Sequence, residues 1–203
     1  MASYSVGGES REFELVPTGT HSAVCILIAD VGIQPGGNFG PKHKVLFMFE
    51  TPDNRTSDSD KPLTITERHT ASMNKKANMR AMLEGWRGEA FTDEAAAEFD
   101  VRKVLGKTCL VGVFHNKVGD KTYANITNVM ALPKGMPQPK AENPLLYYGP
   151  DDDSQYDKLP PWIKKLIDGQ MSPESVSKGR DAVDEEMARE AAGREEFSDS
   201  VPF

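Results

Sequence analysis

Apolar positions recur along this chain with two different periods, and the switch between them outlines a fold. GTHSAVCILIADVGIQ, residues 19–34, is a nearly unbroken β-branched and apolar run, a strand long enough to bend around a small barrel. PGGNFGP at 35–41 ends it with two prolines and three glycines. Residues 42–50 then alternate: Val45, Phe47 and Phe49 point one way, and Lys42, Lys44, Leu46 and Met48 the other. After a polar loop at 51–62, a third strand at 63–70 sets Leu63 and Ile65 on one face and Thr64, Thr66 and Arg68 on the opposite one. The period next becomes helical. Met79, Met82, Leu83 and Trp86 stand at i, i+3, i+4 and i+7, with Ser72 as the expected cap and Gly88 as the stop. A short helix over 93–99, capped by Thr92, and a turn around Val101, Val104 and Leu105 follow. Strand character returns at 107–115 and 122–132, and Gly119-Asp120 between them suits a tight hairpin.

Strand, strand, strand, helix, strand, strand is the order of a mainly β, five-stranded OB-type Greek-key barrel with its helical segment between strands 3 and 4. A small β-sandwich with an inserted helix is the alternative. The expected organisation is a disordered N-terminus at 1–12, the OB-fold body at 13–133, a Pro-rich linker with a docking segment at 134–169, and a flexible acidic tail at 170–203. Within the linker, residues 145–148 and LPPWIKKLI carry the apolar groups able to dock back on the body. The tail contains one candidate helix, over 181–192.

Charge sharpens that division. Of 203 residues, 24 are Lys or Arg and 31 Asp or Glu, a net of −7. Residues 1–133 carry −1, residues 134–180 carry 0, and the last 23 residues carry −6. The acidic total therefore says little about the body, whose binding properties depend on local basic patches. An apolar fraction of 38% and a mean hydropathy of −0.51 imply that part of the chain packs no core. No apolar run reaches the roughly 18–20 residues of a membrane span, and the first residues lack a signal-peptide pattern. Cys25 and Cys109 sit in strand runs, as buried free thiols do. A cytoplasmic protein without membrane association is the expectation.

Enzyme motifs are missing. GGNFGPKH fails as a phosphate loop because Pro41 stands where the lysine is needed, and there is no nucleophile elbow, H-E-x-x-H or zinc spacing. DDDSQYD at 151–157 lacks the Gly and distal Glu of an EF-hand and reads as a solvated acidic run. His21, His43, His69 and His115 are scattered over different strands. No catalytic residue, metal or cofactor is expected.

Single-stranded nucleic acid is the ligand that the basic and aromatic positions fit. OB folds bind across strands 2 and 3 and the loops joining strands 1–2 and 4–5. Strand 2 offers Lys42 and Lys44, strand 3 offers Arg68, and the helix region adds Lys76 and Arg80 on one side of its wheel. The first loop presents Phe39 among glycines, a ring with no apolar neighbours and so a candidate for base stacking. The last loop presents His115, Lys117, Lys121 and Tyr123. Cations would neutralise phosphates while exposed rings stack on bases, without base-edge readout. Phe47, Phe49 and Phe114 are expected in the core.

The final residues, EEFSDSVPF, combine acids with a terminal ring and carboxylate. Asp199, Val201, Pro202 and Phe203 therefore form a candidate partner-binding tip, suited to an apolar pocket rimmed by basic groups. This ending resembles the tip of bacterial single-stranded DNA-binding proteins, with Val201 in place of Ile and Ser198 and Ser200 interrupting the acids. The runs NKKANMRAMLEGWRG and LGKTCLVGVFHNKVGDKTYANITNV resemble bacteriophage-type single-stranded DNA-binding proteins. The resemblance implies a coat for single strands in DNA replication, recombination and repair, recruiting replication or recombination proteins through the tip. A protein-interaction adaptor and a single-strand annealing mediator remain alternatives, and edge strands leave homo-oligomerisation open.

Overall fold

Strand β1 (Gly19–Gln34) is the spine of the fold. Along one edge it pairs antiparallel with β2 (Lys42–Arg55). Its other edge is divided. Gly19 to Val24 pair antiparallel with β4 (Thr108–Val118), and past a bulge at Cys25/Leu27 that edge takes β6 (Leu146–Tyr148) in parallel. β3 (Pro62–Thr70) extends the sheet beyond β2, and β5 (Lys121–Met130) extends it beyond β4. This computed structural model describes residues 14–36 and 40–172. The readings made for residues 1–12, for Phe39, for the helix over 181–192 and for the tip Asp199, Val201, Pro202 and Phe203 lie outside the described residues.

The hydrogen-bonded order is β3-β2-β1-β4-β5, and no ladder joins β3 to β5. The sheet is mainly antiparallel and open, so the barrel expected from the strand count is not closed by hydrogen bonds. A helix lies across the gap instead. α1 (Asn78–Arg87) buries Met79, Met82, Leu83 and Trp86, the stripe its sequence period sets out. It approaches β5 so closely that the Ala131 amide donates to Gly85 O at 3.1 Å, and a Cβ on Gly85 would lie 2.8 Å from Val129 O. The Trp86 indole donates to Thr108 O at 2.9 Å. α1 starts at Asn78 with Ala77 as its cap, later than Ser72 implied; the Ser72 hydroxyl accepts from the Asn74 amide in the preceding turn. Gly88 ends the helix at φ 69°, a left-handed conformation that glycine adopts without a Cβ penalty. α2 (Asp93–Ala97), capped by Thr92, and a 3-10 turn (Val101–Val104) lead into β4.

Both faces of β1 and β2 are covered. Phe47, Phe49, Ile28 and Ile65 pack with Leu83 and Trp86 on the α1 side. Leu27, Ala29, Val31, Leu46 and Met48 form a second core with Leu146, Leu159, Ile163 and Ile167. These four belong to a strap, residues 141–168, that ends in α3 (Pro161–Asp168). Glu50 fastens it: fully buried, its carboxylate accepts from the Glu142 amide at 2.6 Å, the Asn143 amide at 3.0 Å and Asn143 Nδ2 at 2.8 Å. Arg55 and Glu142 add a two-pronged ion pair at 2.5 and 3.1 Å. Cys25 and Cys109 are buried free thiols whose burial pushes their pKa well up. Among the described residues no helix is long and apolar enough to cross a membrane.

Candidate nucleic-acid interface

Strand register builds the first part of the site. Lys44 pairs with Thr70 and Leu46 with Arg68, so Lys44, Thr70 and Arg68 share one face of β2 and β3, the face that Leu46 and Met48 continue into the second core. Lys44 Nζ donates to Thr70 Oγ1 at 3.0 Å. Beyond Thr70 the chain turns back. The Ala71 amide donates to His43 O and the Ala77 amide to Asn74 O, which brings Lys76 and the start of α1 beside the ends of the strands. The result is a groove of about 600 Å³ lined by Lys42, Lys44, Arg68, Lys76 and the polar Thr70, Ser72, Asn74 and Asn78.

Among the described residues no carboxylate lines this groove, and none of its four cations is ion-paired. Elsewhere Lys75, Arg55 and Arg102 are all held by acids. The N-terminus of α1 points the same way: it has no side-chain cap and no acid in its first turn. Such a surface favours anions.

Arg80 does not belong to it. It is 5% exposed, and its guanidinium donates to Glu84 at 2.9 Å, Asp93 at 3.1 Å, Met73 O at 3.3 Å and Phe91 O at 2.6 Å. Every bond is internal, so Arg80 is a structural tie between α1 and α2. The Phe91 amide, first, and Arg80 lower the Glu84 pKa; Lys75, first, and Arg80 lower that of Asp93.

The remaining candidates sit on the β4–β5 hairpin, beyond the Gly19 end of β1, whereas Lys42 pairs with Gln34 at the other end. His115 Nε2 bonds Val16 O at 2.8 Å, tying the hairpin to the segment before β1. Lys117 shares that face. Tyr123 pairs with Asn116 and Lys121 with Val118, which sets Lys121 and Tyr123 on the opposite face. Phe114 is there too. It is 57% exposed beside a half-exposed Tyr123, a correction to its expected place in the core. Cys109, Val111 and Val113 take the inward positions of β4, so Phe114 falls outward by strand parity.

Two further polar residues, His69 and Glu67, belong to no site expected from the sequence. A second cleft, of about 490 Å³, adjoins the groove and shares Arg68, His69 and Asn78 with it. It lies at the gap between β3 and β5, with Glu67 and His69 on one side, Thr127 to Met130 on the other, and Ala81, Met82 and Gly85 of α1 behind. Parity carried a signal for these two residues. With Leu63 and Ile65 inward, Glu67 and His69 follow on the buried face, where polar groups need a reason.

No protein-family model matches the chain, and no curated protein is significantly similar to it.

Proposed function

We propose that this chain is a sequence-tolerant single-stranded DNA-binding protein built on an OB-type barrel, acting in replication, recombination and repair of (phage) DNA. The observation that carries the reading is the groove in which Lys42, Lys44, Arg68 and Lys76 converge without a carboxylate among the described residues. The strand order β3-β2-β1-β4-β5, with the helical segment between β3 and β4, supports the barrel, α1 covering the gap at its seam. Phosphates lie against the four cations, and bases stack on exposed rings, with Phe114 and Tyr123 of the hairpin available for that role. Phe39 and Lys121 extend the contact, and Lys117 adds charge from the hairpin's other face. The tip Asp199, Val201, Pro202 and Phe203 recruits replication or recombination proteins.

Fluorescence anisotropy with a labelled oligo-dT tests the reading, using a duplex competitor and a salt series. Four phosphate contacts predict that log K falls with log salt at a slope of about −2.8, from ~0.7 per contact on single strands. A chain ending at Ser172 is compared with the full chain, because the Met171 amide still bonds Ile33 O and belongs to the fold. The residues removed carry nine acids and four bases, a net of −5, so the shorter chain is expected to bind tighter at low salt, with the difference fading as salt rises. Failure of both chains to bind at low salt, or equal affinity for duplex, overturns the proposal. Failure would leave the adaptor reading, with the Phe114–Tyr123 face as its docking surface.

A further inference from the structure

We infer that the cleft between β3 and β5 is a nucleobase subsite with a preference for guanine, an inference that rests on the single-strand-binding reading and refines it. Two buried polar atoms motivate it. Among the described residues His69 Nε2 and Glu67 Oε2 have no hydrogen-bond partner, although His69 is 5% exposed. His69 Nε2 and Glu67 Oε1 come within 3.2 Å of each other, an ion-pair distance, but without the alignment of a hydrogen bond. The alignment is the better guide to satisfaction, because hydrogen-bond strength falls steeply as the angle closes. Unmet buried groups of this kind are rare in native folds, and a ligand that supplies their partners recovers the cost.

The surroundings specify what that ligand is. The His69 ring meets the Phe47 ring edge-on, with centroids 6.0 Å apart, which holds the imidazole in place. Met82 and Met130 offer apolar, adaptable surfaces for a flat ring. Glu67 is about a quarter exposed on its side chain, so its carboxylate can swing to meet an incoming group. Arg68 lines both the cleft and the phosphate groove, and a nucleotide whose phosphate lies in the groove can turn its base toward the cleft.

A carboxylate beside an imidazole N–H asks for two adjacent donors next to an acceptor. Guanine alone among the bases has that edge: N1–H and the N2 amine donate to Glu67, and O6 accepts from His69 in the tautomer with hydrogen on Nε2. Thymine brings one donor between two acceptors. Cytosine brings one donor group next to two acceptors, and adenine one donor group next to one acceptor.

The test is anisotropy of the full chain with short oligo-dT strands in which dG, or dI in its place, is set at regular intervals. Deoxyinosine keeps N1–H and O6 but lacks the N2 amine. A tightening of about fivefold or more on replacing dT by dG is expected, from the lower end of what a bidentate base contact is worth, with dI falling between them. Glu67→Gln should bring dG down to dT while leaving oligo-dT affinity within about twofold, since phosphates dominate it. Equal affinity of the unmodified chain for dT, dG and dI strands overturns the subsite and leaves the single-strand reading intact. Absence of binding to any strand overturns both. The dG and dI comparison needs no variant, so it decides the matter even if Glu67→Gln unfolds.

Discussion

Lys76 and Arg80 are four residues apart, carry the same charge, and do different things. Lys76 lies in the turn before α1 and lines the groove with no ion pair among the described residues, while Arg80 is buried and bonded to two acids and two carbonyls. Lys76→Ala should therefore weaken oligo-dT binding about fivefold and lower the salt slope by about 0.7, with melting unchanged. Arg80→Ala should do the reverse: lower the melting temperature and leave the affinity of the folded protein alone. Loss of affinity without loss of stability in Arg80→Ala would return it to the interface. The acids around Arg80 add a pH dependence. Glu84 and Asp93 have folded pKa values below their unfolded ones, so their contribution is present above the unfolded values, near 4, and is lost as pH falls through the folded ones. Unfolding followed by circular dichroism should show the stability gap between the parent chain and Glu84→Gln narrowing below about pH 4. A helical wheel places Lys76 and Arg80 side by side, but it cannot reveal that an acid thirteen residues on, Asp93, returns to one of them. That is why the sequence gathered both as ligands.

Strands and helices were more legible than individual charges. The stripe Met79, Met82, Leu83 and Trp86, the Thr92 cap and the Gly119-Asp120 turn all follow from local periods and local chemistry, and each is where the sequence sets it. Aromatic character alone puts Phe114 in the core, but strand parity decides which way a side chain faces and turns it outward. The second face of β2 was legible in half: Leu46 and Met48 beside lysines require a cover, but only the fold identifies it as α3 and its neighbours. Ile163 is fully buried there, so Ile163→Ala is expected to cost about 2–5 kcal/mol. Glu50→Gln leaves a carbonyl in place of one carboxylate oxygen and an amine where an acceptor was needed by Asn143 or Glu142. It should destabilise the strap, measurable as faster hydrogen exchange at the Glu142 and Asn143 amides. Unchanged exchange there would mean that the apolar contacts alone hold the strap.

At the level of assembly, the order of elements along the chain could be anticipated and the open gap between β3 and β5 could not. Counting strands gives five and a helix between the third and fourth, but whether β3 and β5 bond to each other depends on long-range geometry, and α1 occupies that position with its own contacts to β5. The division of β1's second edge between β4 and β6 was equally hidden, since a three-residue parallel strand leaves almost no local signal. That division has a consequence for the covalent chain. The connection from β5 to β6 is exposed around Lys134 and Met136, while the segment after it is held by β6, Glu50 and three buried aliphatic side chains. Limited trypsin treatment that cuts after Lys134 should therefore yield two pieces that stay together through gel filtration and separate only in denaturant, making the protein a natural starting point for a split reporter reassembled from two fragments, the larger ending at Lys134.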